Sequence, residues 1–443
     1  MKNQFPGVEP YKDQKDTYTV RISLNINGRR IRETYNIHAK SAKKAYDFKI
    51  TRINEIKAQY EEGVVLKVEN MTFNQLVEKW REVSKVDMDR GEGISPTTYN
   101  SYNNIINTHL IPYFNFMPVD KIRSETLVQF LDDLKKKSKE RSASTNRNIF
   151  MVMRTLLRFA KERGFIRYNP ALGVKIPAKE MSDPEYFDEQ QIVNILAEAD
   201  KMVEEGVKNI SRDLKFCTLS DKDRRIRDNK NILSLLSKRM FIYFCIFTGC
   251  RRGEVIGLNW KDITLEENTI KIVIDKTAIK IKGEDSRIKG NTKNKTTRGI
   301  YIDAGIYNII KEYKVLQSIV IQENGWDDHG YVFITLRKGP KFPAGGLANP
   351  DSYTNWFKKW CVEHYREIGI SLEEADASHP HTMRHTFATY NINNGTNIKV
   401  ISELLGHNST QVTLDIYSHV YESKKKESAS LFSEIIQKKE SVK

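Results

Sequence analysis

The chain has 443 residues, with 72 Lys and Arg against 57 Asp and Glu, a net charge of +15 and a sequence pI near 9.3. Four cysteines (Cys217, Cys245, Cys250 and Cys361) show no C-x-x-C pairing, no run of eighteen apolar residues occurs, and the opening MKNQFPGVEPYKDQ lacks the apolar centre of a signal peptide. A disulfide scaffold and a metal cluster with ligand spacing are thereby excluded, and the expectation is a cytoplasmic chain of two to four domains, away from any membrane, whose partner is a polyanion.

The charge is uneven along the chain. Residues 1–70 hold 14 basic against 9 acidic side chains and residues 71–175 hold 18 against 11, so these stretches supply +12 of the +15. Nucleic acid is the polyanion that such basic amino-terminal portions would grip, leaving more specific work to the remainder. Residues 1–65 read as strands followed by a helix. Residues 17–24 alternate, with Val20, Ile22 and Leu24 on one face, and Asn27-Gly28 is a hairpin turn before a second strand over 29–37. Ser41 then caps a helix to about Tyr60 in which Ala45, Phe48, Ile53 and Ile56 fall near the helical period. A basic ribbon carrying Arg21, Arg29, Arg30 and Arg32 has a shape that enters a major groove, and an exposed basic hairpin with no groove to enter is the other reading.

From Thr72, an N-cap, the pattern turns helical with Phe73, Leu76, Val77 and Trp80 on one stripe. Ser95-Pro96 starts a second helix, and Pro112 and Pro118 read as breaks. Residues 128–134 open a further helix running into Lys135, Lys136 and Lys137. The last spans about 145–164, burying Ile149, Val152, Met153, Leu156, Leu157 and Ala160 and leaving Arg147, Arg154, Arg158 and Lys161 for phosphates. The stretch from Asn169-Pro170 to Asp183-Pro184 reads as boundary and linker. A helix begins near Phe187-Asp188-Glu189, and the charged stretch 201–239 that follows carries no assignable function. After the apolar run 240–247, residues 269–275 and 298–302 read as strands with a long lysine-rich connection over 277–291; Val332, Phe333 and Ile334 and the aromatic run 353–360 continue the domain.

The stretch from His379 to His419 concentrates chemistry. His381 and Arg384 are three apart and share one face of a helix start, with Phe387 and Ala388 on the core side. An amphipathic segment with Ile398, Val400, Ile401, Leu404 and Leu405 stops at Gly406, a left-handed cap, and His407 follows at once. Tyr417 stands ten residues on, where Leu414 and Ile416 would pack while the phenol stays free. Singly, each is an ordinary core or surface residue. As an ordered set, H-x-x-R-H-T, then L-G-H, then the tyrosine resembles the carboxyl-terminal signature of the tyrosine recombinase (phage integrase) family.

That resemblance requires a second arginine and a lysine upstream. Thr248-Gly249-Cys250-Arg251-Arg252-Gly253-Glu254 looks like the family's T-G-x-R-x-x-E box, with Arg251, rather than Arg252, at the arginine position. The family lysine lies on a β-hairpin turn, and residues 291–302 look like that hairpin; counting back from its returning strand favours Lys293, with Lys295 the competitor. The resemblance implies a multidomain protein, mainly α with small β-sheets. Its parts would be an amino-terminal three-stranded β-ribbon plus helix of the arm-binding type over 1–65, a helical core-binding domain over 71–175, and a mixed α+β catalytic domain with a tail over 185–443.

It also implies roles. Arg251 and Arg384 would clamp the nonbridging oxygens of a phosphodiester and Tyr417 would be the nucleophile, helped to lose its proton by His381 or the phosphate surroundings. Lys293 would protonate the departing 5′-oxygen, His407 would hydrogen-bond the phosphate, and Glu254 would hold the local geometry behind them. Neither metal nor ATP would be needed. The activity implied is that of a mobile-element integrase working on core and arm sites of double-stranded DNA as a homo-oligomer, a tetramer on DNA. An excisionase and a host DNA-bending protein would be its helpers, and Leu431, Phe432, Ile435 and Ile436 in the tail would meet a neighbouring copy. A type IB topoisomerase and a non-catalytic DNA-binding protein on the same fold are the competing readings.

Overall fold

The computed structural model describes residues 5–12, 16–26, 29–61, 71–136, 143–176, 185–212, 220–280, 286–290, 297–337, 343–418 and 420. It divides into two compact units, Met1–Glu180 and Met181–Lys443. The Asn27-Gly28 turn, Lys293, Lys295 and the apolar tail residues Leu431, Phe432, Ile435 and Ile436 lie outside the described residues.

The first unit opens with an antiparallel sheet of β1 (Val8–Pro10), β2 (Thr17–Ile26) and β3 (Arg29–His38), in that order. Side chains directly opposite one another share a face, so the pairs Arg21↔Thr34, Ser23↔Arg32 and Asn25↔Arg30 put Arg21, Arg30 and Arg32 together on the exposed side. Among the described residues Arg21 forms a solvent-exposed pair with Glu9, at 3.3 Å, and Arg29 opens β3 opposite Ile26. On the other face Val20 and Ile22 bury against Ala45 and Ile56 of α1 (Ala42–Glu61), while Phe48 stays 36% exposed.

A separate helical core follows. Thr72 caps α2 (Phe73–Asp89) reciprocally: the Gln75 N–H donates to its hydroxyl at 3.4 Å and its own N–H donates to the Gln75 side chain at 2.9 Å. Ser95 caps α3 (Pro96–Ile105). The expected break at Pro112 is absent, because the chain stays helical through a π turn at Ile106–Leu110 into α4 (Ile111–Phe114). Just before it the Ile111 N–H donates to the Ile106 carbonyl, the wider π register, and Pro112 follows within α4. The next helix, α5 (Ser124–Lys136), starts earlier than periodicity suggested and buries Leu127, Phe130, Leu131 and Leu134, leaving Val128 exposed. All six residues of the expected stripe on α6 (Ala143–Glu162) are buried. Arg158 and Lys161 lie exposed on its other side, whereas Arg147 and Arg154 are half-buried.

In the second unit the described parts of the charged stretch 201–239 belong to the end of α7 (Glu189–Arg212) and the start of α8 (Asp221–Thr248), with 213–219 outside the described residues. By length and composition α8 could cross a membrane, but 67% of its apolar window is buried inside the protein, as in a core helix. After α9 (Arg252–Ile256) come β4 (Ile263–Glu266), β5 (Thr269–Ile274), β6 (Thr277–Lys280), β7 (Ser286–Lys289) and β8 (Arg298–Asp303). The antiparallel sheet is ordered β4-β5-β8, and the lysine-rich connection contains a further pair, β6-β7, that the sequence reading passed over. Gly253 allows β6 to approach α9, since a Cβ there would come within 2.6 Å of the Ala278 carbonyl oxygen. Then follow α10 (Tyr307–Asn324), α11 (Pro350–Glu363), α12 (Tyr365–Ile368), α13 (Leu372–Ala377), α14 (Pro380–Asn393), α15 (Ile398–Leu405) and α16 (Thr410–Ile416). Phe241, Phe244, Tyr313 and Phe333 are fully buried at the heart of this core.

Fully buried Leu156 and 39% exposed Met151 share α6. Leu156→Ala should lower stability by about 2–5 kcal/mol in denaturant unfolding, while Met151→Ala should stay within about 0.5 kcal/mol. Equal effects from the two would contradict the packing.

Candidate active site

Two helix ends build the site. At the end of α8 Gly249 takes a left-handed conformation, φ +60°, and at the end of α15 Gly406 does the same at φ +66°. Helix carboxyl ends carry unpaired carbonyls and partial negative charge, which guanidinium groups neutralise well. Arg384, on α14 and 4% exposed, donates from Nη1 to the Gly249 carbonyl at 2.9 Å and from Nη2 to the Leu405 carbonyl at 2.7 Å. Arg251, just before α9, donates to the Gly406 carbonyl at 3.4 Å, with its side chain still 42% exposed. The two arginines picked from the sequence therefore meet at one turn.

Glu254 lies between them and a third arginine. Its Oε1 accepts from Arg251 Nη1 at 3.0 Å and its Oε2 from the Arg251 backbone N–H at 3.0 Å, while Arg298, the first residue of β8, donates to the two oxygens at 3.3 and 2.6 Å. Arg298 also donates from Nε to the Leu404 carbonyl at 2.7 Å, tying the sheet to the last turn of α15. Burial alone would raise the Glu254 carboxyl, but its contacts with Arg298 and Arg251 outweigh that and hold it below the usual range. A Cβ on Gly406 would lie 2.7 Å from Arg298 Nη1, so this glycine is needed for space as well as for backbone angle. Arg298 was read in the sequence only as the start of a strand; no local motif distinguished it, because its partners come from α9 and α15.

The histidines and the tyrosine complete the cluster. His407 follows Gly406, and its Nδ1 is 2.8 Å from the hydroxyl of fully buried Thr413. Burial, and then the charges of Arg384, Arg251 and Arg298, push its imidazole down to about 4 from 6.5. His381 stands at the start of α14; desolvation by its neighbours and the charges of Arg384, His379 and Arg251 hold it low too, although its exposed edge lets water temper the effect. Burial likewise presses Arg384 down to about 10, with Arg251 adding to it, and it stays charged at neutral pH.

Tyr417 overturns one expectation. Its phenol was expected to stay free while Leu414 and Ile416 packed; instead Tyr417 is 1% exposed among Ala388, Ile392, Ile401 and Leu405, and Leu414 is 36% exposed. The short α16 buries Thr413 and packs Ile416 against the same cluster, leaves Leu414 outward and delivers the ring inward at its end. Burial raises the phenol to about 12, and its Oη lies 2.8 Å from Nδ1 of His385. The histidine that meets the phenol is thus His385 rather than His381, whose ring centre is 6.4 Å from that of His385.

Comparison with known proteins brings in the same residues. A model of the phage integrase family matches residues 223–424, a span that contains Arg251, Glu254, His381, Arg384, His407 and Tyr417, and a model of the phage integrase amino-terminal SAM-like domain matches 72–135. The chain carries phage integrase family domains. Among the family's named proteins, a XerC-like tyrosine recombinase of Caldanaerobacter subterraneus subsp. tengcongensis is 25% identical over 439 residues, covering 94% of this chain and 95% of that protein. The ICEBs1 integrase of Bacillus subtilis (strain 168) is 22% identical over 436 residues, covering 96% and 99%. Solved phage-integrase relatives share the fold. The Tn1549 transposon integrase in complex with transposon right end DNA superposes with a TM-score of 0.54 at 20% identity, covering 82% of this chain and 99% of that one. The XerH site-specific recombinase bound to a palindromic difH substrate gives 0.52 at 18%, covering 76% and 80%.

The depressed imidazole of His407 has a thermodynamic signature. Because the folded chain resists that proton and the unfolded chain accepts it near 6.5, the stabilising contribution is complete above pH 6.5 and is lost as pH falls toward 4. His407→Asn should flatten the fall in unfolding midpoint between pH 6.5 and 4 by up to one proton's worth of slope. An identical slope in wild type and variant would refute the assignment.

Proposed function

We propose that this integrase-family chain is a site-specific DNA recombinase of a mobile genetic element, which cuts and rejoins DNA through a 3′-phosphotyrosyl intermediate and a Holliday junction. The observation that carries this reading is the meeting of Arg251 and Arg384 at the turn ending α15, with His407 on that turn and Tyr417 packed beside it. Counting Arg251, Arg298 and Arg384 against Glu254 leaves a local charge of about +2, matched to a phosphodiester and the extra charge it develops on attack.

In the proposed reaction Tyr417 Oη attacks the scissile phosphorus, the P–O5′ bond breaks, and the phenol proton departs. Arg251 and Arg384 hold the nonbridging oxygens through N–H donors left over from their carbonyl anchors. His381 and His407, neutral at pH 7, donate hydrogen bonds to the same phosphate, and Glu254 fixes Arg251 from behind. The 5′-oxygen receives its proton from Lys293, or from Lys295 if the loop places that residue instead. A phosphotyrosyl ester keeps the bond free energy of the backbone, so a 5′-hydroxyl of a partner strand reseals it without metal or ATP. The phenol is buried beside His385, so docking on DNA must bring the phosphate and the Tyr417 hydroxyl within reach of each other with that contact kept.

Residues 1–65 serve as the arm-site module, with Arg21, Arg30 and Arg32 on one exposed face and Arg29 on the same strand. Residues 71–175 serve as the core-site module, and 185–443 as the catalytic domain. Along α6, Arg147, Arg154, Arg158 and Lys161 contact phosphates. The working form is a tetramer on double-stranded DNA, with an excisionase and a host DNA-bending protein as partners. Relatives named recombinase and integrase over nearly the whole chain support this reading over a topoisomerase or a non-catalytic binder.

Incubation with a nicked suicide attachment site tests the chemistry. Tyr417→Phe should bind DNA normally yet form no covalent protein–DNA band, and Arg251→Lys or Arg384→Lys should slow band formation by at least about a hundredfold, the scale of one lost transition-state donor. Persistent adduct in Tyr417→Phe would move the nucleophile elsewhere. A chain beginning at Glu69 should still cleave core-site DNA but lose salt-sensitive binding to arm sequences; unchanged arm binding would show that the ribbon enters no groove.

A further inference from the structure

The histidine beside the nucleophile has no role in the mechanism as derived so far. We infer that His385 is a catalytic residue, the group that receives the Tyr417 phenol proton during strand cleavage and returns it during religation. This inference rests on the recombinase reading and on Tyr417 as its nucleophile.

Its basis is geometric. His385 Nδ1 lies 2.8 Å from Tyr417 Oη, within hydrogen-bond reach, and the two rings meet edge to face with centres 5.8 Å apart. His385 follows Arg384 directly in sequence on α14, so the group that would take the proton and a phosphate-binding arginine are set by one rigid helix. His381, the histidine that the family pattern offers for this task, stands one turn earlier at an exposed position, with its ring centre 6.4 Å from that of His385. Among the described residues, the titratable and charged groups facing His385 include His381 and Arg384 on its own helix, Tyr417 at the end of α16, and His407 after α15, whose imidazole feels the charge of His385. The step balances: the Oη–H bond breaks as the Oη–P bond forms, the proton goes to Nδ1, and the P–O5′ bond breaks with O5′ protonated by the loop lysine. Religation runs the same transfers backward.

Full-length wild type, His385→Ala, His385→Asn and Tyr417→Phe are compared in single-turnover cleavage of the suicide substrate from pH 6 to 9. Melting temperature and DNA affinity of each are measured alongside. An asparagine places an amide near the Nδ1 position, so it can keep the hydrogen bond to the phenol but cannot take the proton. If His385 is the acceptor, both His385 variants should bind DNA as wild type does and cleave at least about a hundredfold more slowly at pH 7, and their rates should climb with pH as hydroxide replaces the missing base. Recovery of wild-type rates in the asparagine variant would overturn the inference and leave His385 a positioning residue. Faster cleavage in His385→Ala would overturn it too, making the contact a restraint on the nucleophile. A loss of rate that does not change with pH and accompanies a lower melting temperature would reduce His385 to a packing residue. Absence of adduct from wild type, or its persistence in Tyr417→Phe, would instead remove the recombinase reading or its nucleophile.

Discussion

Guanidinium groups anchored on helix-end carbonyls hold this site together. The carbonyls of Gly249, Leu404, Leu405 and Gly406 accept from Arg384, Arg298 and Arg251. Three cations packed so closely would repel one another in a protein interior, and two opposing sources of negative charge relieve that: the Glu254 carboxylate and the partial charges at the carboxyl ends of α8 and α15. The arrangement fixes three separate parts of the chain with respect to one another. The His407 imidazole is depressed here by its burial first and then by the charges of Arg384, Arg251 and Arg298.

Much of this was legible in the sequence, because the information was local. Thr72 with Gln75, Ser95 with Pro96, and the apolar stripe on α6 follow from capping and from the 3.6-residue period, and the structure shows each of them. Arg251 could be placed because residues 248–254 resemble the family's T-G-x-R-x-x-E box, with Gly249 and Glu254 setting the register, and Arg384 because it follows His381 by one turn. What escaped was non-local. The partners of Arg298 come from α9 and α15, and the contact between His385 and Tyr417 spans 32 residues, so neither leaves a periodic trace. Pro112 misled because a proline reads as a break until the neighbouring register is known, and a π turn supplies a register that accepts it. The β6-β7 pair hid in a lysine-rich stretch whose composition resembles a connection.

The first unit shows how one strand pattern serves two purposes. Alternation along β2 gives Val20 and Ile22 to the core against α1 and hands Arg21 to solvent, and the register with β3 adds Arg30 and Arg32 to that surface. The folding of the ribbon and its positive face therefore depend on the same phase; a slip of one residue would bury arginine and expose isoleucine. Net charge alone only points towards a polyanion, while the register gathers Arg21, Arg30 and Arg32 on one side of the sheet.

The enclosure of Tyr417 acts as a discriminator. Loosening the apolar packing around a fully buried aromatic ring, so that DNA reaches its hydroxyl, costs up to roughly 2 kcal/mol, about a thirtyfold factor in an equilibrium constant. Every encounter with a duplex bears that same cost, whether the sequence is correct or foreign. Extended contacts at a true site offset it readily, but brief electrostatic grazing along unrelated chromosome does not. On the proposed mechanism, the attacking hydroxyl is therefore sheathed while the protein scans DNA, and protection against stray nicks comes from the packing of a single side chain.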